Sequence, residues 1–151
     1  MVMKTYKVTV DSNGTIRWRN ENGQLHREDG PAVEYTDGTK VWYLNDQLHR
    51  EDGPAVEYAD GTKSWYLNGQ RHREGGPAIE WADGDKSWWL NDQLHREDGP
   101  AVEGANGHKE WWINDQRLTE KEFNMRMKPH KEMTVAQLEQ ELGYKIKIVK
   151  G

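Results

Sequence analysis

The stretch LHREDGPAVEY at residues 25–35 returns unchanged at 48–58, as RHREGGPAIEW at 71–81 and as LHREDGPAVEG at 94–104. His26, His49, His72 and His95 therefore stand 23 residues apart, and Trp42, Trp65, Trp88 and Trp111 keep the same interval. Self-similarity at such a period marks a repeat array, in which each unit buries its apolar surface against its neighbours.

Each unit carries two turn signals. Asp37-Gly38, Asp60-Gly61, Asp83-Gly84 and Asn106-Gly107 form one series; Asn45-Asp46, Asn68-Gly69, Asn91-Asp92 and Asn114-Asp115 form the other. Such pairs accept positive φ at both central positions of a type I′ turn, whose twist matches that of paired strands. The unit is expected to be two strands and two turns, and the array an antiparallel meander. If Asp37-Gly38 is a two-residue loop, Val33 faces Trp42 and Ala32 faces Tyr43. Alternation then gathers Val33, Tyr35, Trp42 and Leu44 on a core face, and Ala32, Glu34, Val41 and Tyr43 on the opposite one. A different loop length would exchange these roles, because a one-residue slip flips every side chain. Gly30-Pro31, Gly53-Pro54, Gly76-Pro77 and Gly99-Pro100 weaken a strand and remove an amide donor, so they mark either a bulge where the sheet bends or a plain loop.

The recurring LHRE-GPA-(E)-DG-(K)-WYLN(D/G)Q pattern over about residues 20–118 resembles the MORN-variant repeat, in wording similar to small proteins encoded by tailed bacteriophages. The resemblance implies a mainly β, elongated, coiled single-layer antiparallel sheet of hairpin repeats with aromatic rows, serving as a scaffold or binding surface. It implies no catalytic residue.

Composition agrees with such an array. Of 151 residues only 34% are hydrophobic and 31% are charged. Eight Trp and six Tyr supply the burial that Leu and Ile elsewhere provide. Without Cys, neither disulfides nor thiolate metal sites can form, which fits a reducing, cytoplasmic setting. No apolar run is long enough to span a membrane. Residues 1–116 carry 13 Lys and Arg against 21 Asp and Glu, whereas 117–151 carry 8 against 5. The acidic repeats lack the clustered cations that nucleic-acid backbones and anionic membranes attract.

Flanking segments differ from the repeats. Residues 1–19, with Asn13-Gly14 between two alternating runs, read as a divergent hairpin cap. Residues 119–151 read as a helix–helix–strand attachment. Thr119 with Glu122, and Thr134 with Gln137, have capping-box spacing, Gly143 suits a helix C-cap, and Tyr144–Val149 alternates as a half-buried strand. This attachment is expected to cover the last repeat, where Gly104 replaces the ring of Tyr35 and Tyr58, through Phe123, Leu138, Leu142, Ile146 and Ile148. A basic docking surface is its alternative role.

The His-Arg-Glu-Asp ladder holds the residue types of a metal or acid–base site, but equivalent positions are two strands, about 9–10 Å, apart. Zinc ligands sit about 2.0–2.2 Å from the metal. Each polar group also recurs in four near-copies, unlike the unique constellation an enzyme needs. The expectation is a protein with no catalytic residue, no metal and no cofactor. A second aromatic row, Tyr43, Tyr66, Trp89 and Trp112, expected to be partly exposed beside Glu34, Glu57, Glu80 and Glu103, is the candidate binding surface. It points to a protein partner with a cationic patch, plausible for a phage product that inhibits or sequesters a host protein. Capture of a nucleotide or saccharide between rings is the alternative, and acidic mimicry of nucleic acid a weaker one.

Overall fold

The computed structural model describes residues 5–127, 134–145 and 147. Its centre is an open, eleven-stranded antiparallel sheet. Lys7–Val10 and Ile16–Arg19 form the first hairpin, followed by Val33–Glu34 with Lys40–Val41, Val56–Glu57 with Lys63–Ser64, Ile79–Glu80 with Lys86–Ser87, and Val102–Glu103 with Lys109–Ile113; Gln116–Leu118 closes the series. Three short hairpins lie to one side: Tyr43–Leu44 with Gln47–Leu48, and its two successors. The protein is thus a mainly β hairpin-repeat structure with a small helical part.

The two turn series differ in kind. Leu44 pairs with Gln47, leaving Asn45 and Asp46 as a two-residue loop at φ 52° and 63°, the expected type I′ turn. Asn68-Gly69, Asn91-Asp92 and Asn114-Asp115 repeat it. At the first series the register is instead Glu34 with Lys40 and Val33 with Val41. The loop is Thr36-Asp37-Gly38, one residue longer than expected: Gly38 N–H donates to Tyr35 O, only Gly38 takes positive φ (96°), and Asp37 Oδ1 accepts from Thr39 N–H. This is the three-residue hairpin loop with a left-handed glycine in its bulge.

That extra residue overturns the face assignment. Val33 and Val41 share a face, and with Val56 they form the buried cluster against which Leu25, Tyr43, Leu48 and Tyr66 pack. Trp42 and its equivalents lie on the other side and are half-buried, rather than forming the core row.

The Gly-Pro segments are excursions from one strand. Trp42 N–H donates to Ala55 O while Trp42 O accepts from His49 N–H, so Arg50–Pro54 bulge out opposite a single tryptophan. The same pair of bonds occurs at Trp65 and Trp88, and also at Trp18. Trp18 is therefore the first member of the tryptophan series, hidden from the 23-residue count by an offset of one.

After the sheet, Glu120–Met127 forms a helix whose capping box is present: Thr119 N–H donates to Glu122, and Glu122 N–H donates to Thr119 Oγ1. It contacts Lys109–Ile113 and Gln116–Leu118, with Phe123 5% exposed. A second helix, Val135–Leu142, starts at a Thr134–Gln137 capping box and ends at left-handed Gly143. Of the strand expected over 144–149, the described residues Tyr144, Lys145 and Lys147 are not in a strand and the other three lie outside the described residues, as do the side chains of Leu138 and Leu142. At Gly104 an added Cβ would stand 2.7 Å from Asn106 Oδ1 and 3.2 Å from His108 Cβ, so these two residues crowd the place a ring side chain takes in earlier units.

Candidate binding face

Alternation from the Val33–Val41 pair puts Tyr35 and Tyr43 on the same face. Tyr35, Tyr58 and Trp81, at the loop end of successive units, are 43%, 46% and 40% exposed. Tyr43 and Tyr66, at the opposite end, are half-buried against the valine cluster, and burial pushes both phenols above their ordinary pKa. Between the two rows lies a recess of about 380 Å³ lined by Tyr35, Asp37, Thr39, Val41, Tyr43, Leu48, Val56 and Tyr58. Its floor is aliphatic, its walls are rings, and among the described residues Asp37 is the only charged one in its lining.

Along the array the floor becomes polar, since Ser64, Ser87 and Glu110 follow Val41. From Ser87 onward the polar floor serves the wall; Ser64 stands beside Tyr66. Trp89 and Trp112 replace tyrosines, and an indole N–H buried at one end of a ring needs an acceptor. Trp89 Nε1 donates to Ser87 Oγ at 2.6 Å, and Trp112 Nε1 to Glu110 Oε2 at 2.9 Å. The guanidinium of Arg71 lies over Trp89, 3.8 Å from its centroid, and Arg71 also pairs with Asp92.

The expected acidic row is elsewhere. Glu34, Glu57, Glu80 and Glu103 pair across the sheet with Lys40, Lys63, Lys86 and Lys109, on the face opposite Tyr43. Each also accepts from an arginine of its own unit: Arg27 at 3.4 Å, Arg50 at 2.8 Å, Arg73 and Arg96 at 2.7 Å. Those arginines lie over Trp18, Trp42, Trp65 and Trp88, 3.8–4.3 Å from the ring centroids. The structure therefore separates the two rows that sequence alternation had placed together.

The ladder histidines tie one unit to the next. His49 Nδ1 accepts from Asn68 N–H at 3.1 Å, and His26, His72 and His95 meet Asn45, Asn91 and Asn114 in the same way. Asparagine at the first turn position thus serves twice, by accepting positive φ and by meeting the preceding histidine. Between successive Arg-Glu-(Asp/Gly)-Gly-Pro excursions open three equivalent clefts of about 490–800 Å³, on the tryptophan side. Their polar rims are made of the same internally paired groups.

Sequence reasoning missed the exposed row Tyr35, Tyr58 and Trp81, although its 23-residue spacing was visible, because the assumed loop length had placed it in the core. Among the described residues no helix is long and apolar enough to cross a membrane. No protein-family model and no curated protein sequence matches the chain.

Proposed function

We propose that this is a non-catalytic protein-binding repeat module whose contact surface is the aromatic recess face. One observation carries the proposal: Tyr35, Tyr58 and Trp81 stand exposed in a row, and the first two wall a recess closed on its other side by Tyr43. Contiguous rings left in water at a concave surface favour a partner that covers them, and aromatic residues dominate binding hot spots. The polar residues of the ladder support the non-enzymatic side of the reading, since Arg50 and Glu57 pair within a unit, His49 joins it to the next, and their equivalents do the same. Asp37 at the recess, with Asp60 and Asp83 at equivalent positions, favours a cationic partner surface. The row of internally paired glutamates is a poor imitation of a phosphate backbone. A phage-encoded MORN-like protein of this kind would sequester or inhibit a host protein, in the host cytoplasm, through this face.

Site-specific photocrosslinking tests the proposal. A benzoylphenylalanine at position 58 should capture one discrete partner from bacterial cells, whereas the same group at position 63, on the opposite face, should not. Capture only from position 63 would place the contact surface on the tryptophan–arginine side and refute this assignment.

A further inference from the structure

We infer that the exposed ring row takes an extended, proline-rich segment with a basic residue at every third position, held as a polyproline II helix lying across the strands. The inference rests on the protein-binding reading above and adds the conformation and chemistry of the partner segment. Equivalent rings are separated by two strands, and with inter-strand spacings of about 4.7–4.9 Å the row repeats every 9.4–9.8 Å or so. A polyproline II helix advances about 3.1 Å per residue and repeats every three, about 9.3 Å. Its side chains therefore stay in step with Tyr35, Tyr58 and Trp81 over both intervals. A β-strand presents the same face every two residues, at about 6.6 Å or 13 Å, and falls out of step at the second ring. An α-helix needs two turns, about 10.8 Å, and has drifted by about 2 Å at the third.

Charge selects the same partner. Asp37, Asp60 and Asp83 each follow a ring of the row by two residues and are exposed, so a carboxylate recurs with the ring at every unit. A ligand with a three-residue period offers proline to the rings, as aromatic-lined grooves elsewhere do, and arginine or lysine to the carboxylates. The row ends at Gly104, which has no ring, so the footprint spans three units.

Isothermal calorimetry on the full chain tests this with three synthetic peptides: (Pro-Pro-Arg)4, the flexible (Gly-Ser-Arg)4 of equal charge, and (Pro-Pro-Glu)4. The first should bind about tenfold or more tighter than the second, because its conformation is already ordered, and the third should not bind. Tyr58→Leu and Trp81→Leu should each weaken the first peptide about tenfold, with Asp60→Asn weakening it as well and Lys63→Ala leaving it unchanged. Far-ultraviolet circular dichroism checks that the variants are folded. Equal binding of the two arginine peptides would overturn the polyproline assignment and leave a cation-binding face standing. Binding that ignores Tyr58→Leu, Trp81→Leu and Asp60→Asn, or no binding of (Pro-Pro-Arg)4, would overturn the inference, and the crosslinking experiment would separately decide whether the face binds protein.

Discussion

The guanidinium of Arg50 lies 4.1 Å from the centroid of the Trp42 ring, while its Nη1 donates to Glu57 at 2.8 Å and its Nε to Asp52 at 2.9 Å. Nη1 also reaches Pro54 O at 3.2 Å. One side chain thus closes the Arg50–Pro54 excursion from within and holds it over the tryptophan that faces it. Exchange of either partner for alanine should destabilise the protein, and a double-mutant cycle between Arg50 and Trp42 in urea should return a coupling of about 1 kcal/mol. Lysine at position 50 should restore little of it, since an ammonium cannot serve the stacked, forked geometry. Additive single effects would show that the stack contributes no energy of its own.

Gly53 is required by that arginine rather than by its backbone angle. A Cβ there would stand 2.8 Å from Arg50 Cζ. Gly53→Ala should cost about 1–3 kcal/mol by displacing the guanidinium, and the cost should shrink when Arg50 is already alanine. Chemical denaturation of the single and double variants measures both terms, and an undiminished cost would place the strain elsewhere.

Ser64 and Ser87 occupy equivalent floor positions but do different things. Ser87 Oγ is the acceptor for the Trp89 indole, whereas the residue after Trp65 is Tyr66. Ser87→Val should cost about 1–3 kcal/mol through the unsatisfied N–H. Ser64→Val recreates the Val41 environment and should leave the melting temperature unchanged or raised. The opposite ranking would sink the assignment of Ser87 as the acceptor that the Trp89 indole needs.

Tyr58 and Tyr66 separate binding from folding. Tyr66 packs against the valine cluster, and its replacement by alanine should cost about 3 kcal/mol, as for a large core side chain. Tyr58→Ala should cost less than about 1 kcal/mol. Comparable losses in thermal melts would mean that both rings are core and that no exposed row exists.

Glu110 gives the fold an acid sensitivity. The Trp112 indole N–H foremost, then His108, hold its carboxyl below the ordinary value; burial opposes them and Arg117 adds to the depression. A depressed folded pKa contributes stability that is present above the unfolded value, near 4.5, and lost as pH falls through the folded one. Melting temperature should therefore fall less steeply below about pH 4.5 in Glu110→Gln than in the parent. Parallel curves would remove Glu110 from the acid transition.

The 23-residue repeat, its antiparallel hairpins, the type I′ turns and both helix caps were legible in the residues themselves, because each follows from local chemistry. Asn45-Asp46 has few alternatives to positive φ in a two-residue loop, and Thr134 with Gln137 satisfies the amides of the helix it begins. The Gly-Pro pairs left a bulge and a plain loop open, and the two bonds of Trp42 to Ala55 and His49 decided for the bulge. Asp37-Gly38 was not decisive, since the same dipeptide suits a two-residue type I′ loop and a three-residue loop with a glycine bulge. Tertiary structure chose the latter. Ala59 N–H reaches Thr39 Oγ1 of the preceding unit at 3.1 Å, and the resulting register buries Val33, Val41 and Val56 together. That single residue decided which face carries Tyr35, Tyr58 and Trp81 and which carries the tryptophan–arginine stacks, because side chains alternate along a strand and a shift of one reverses them all.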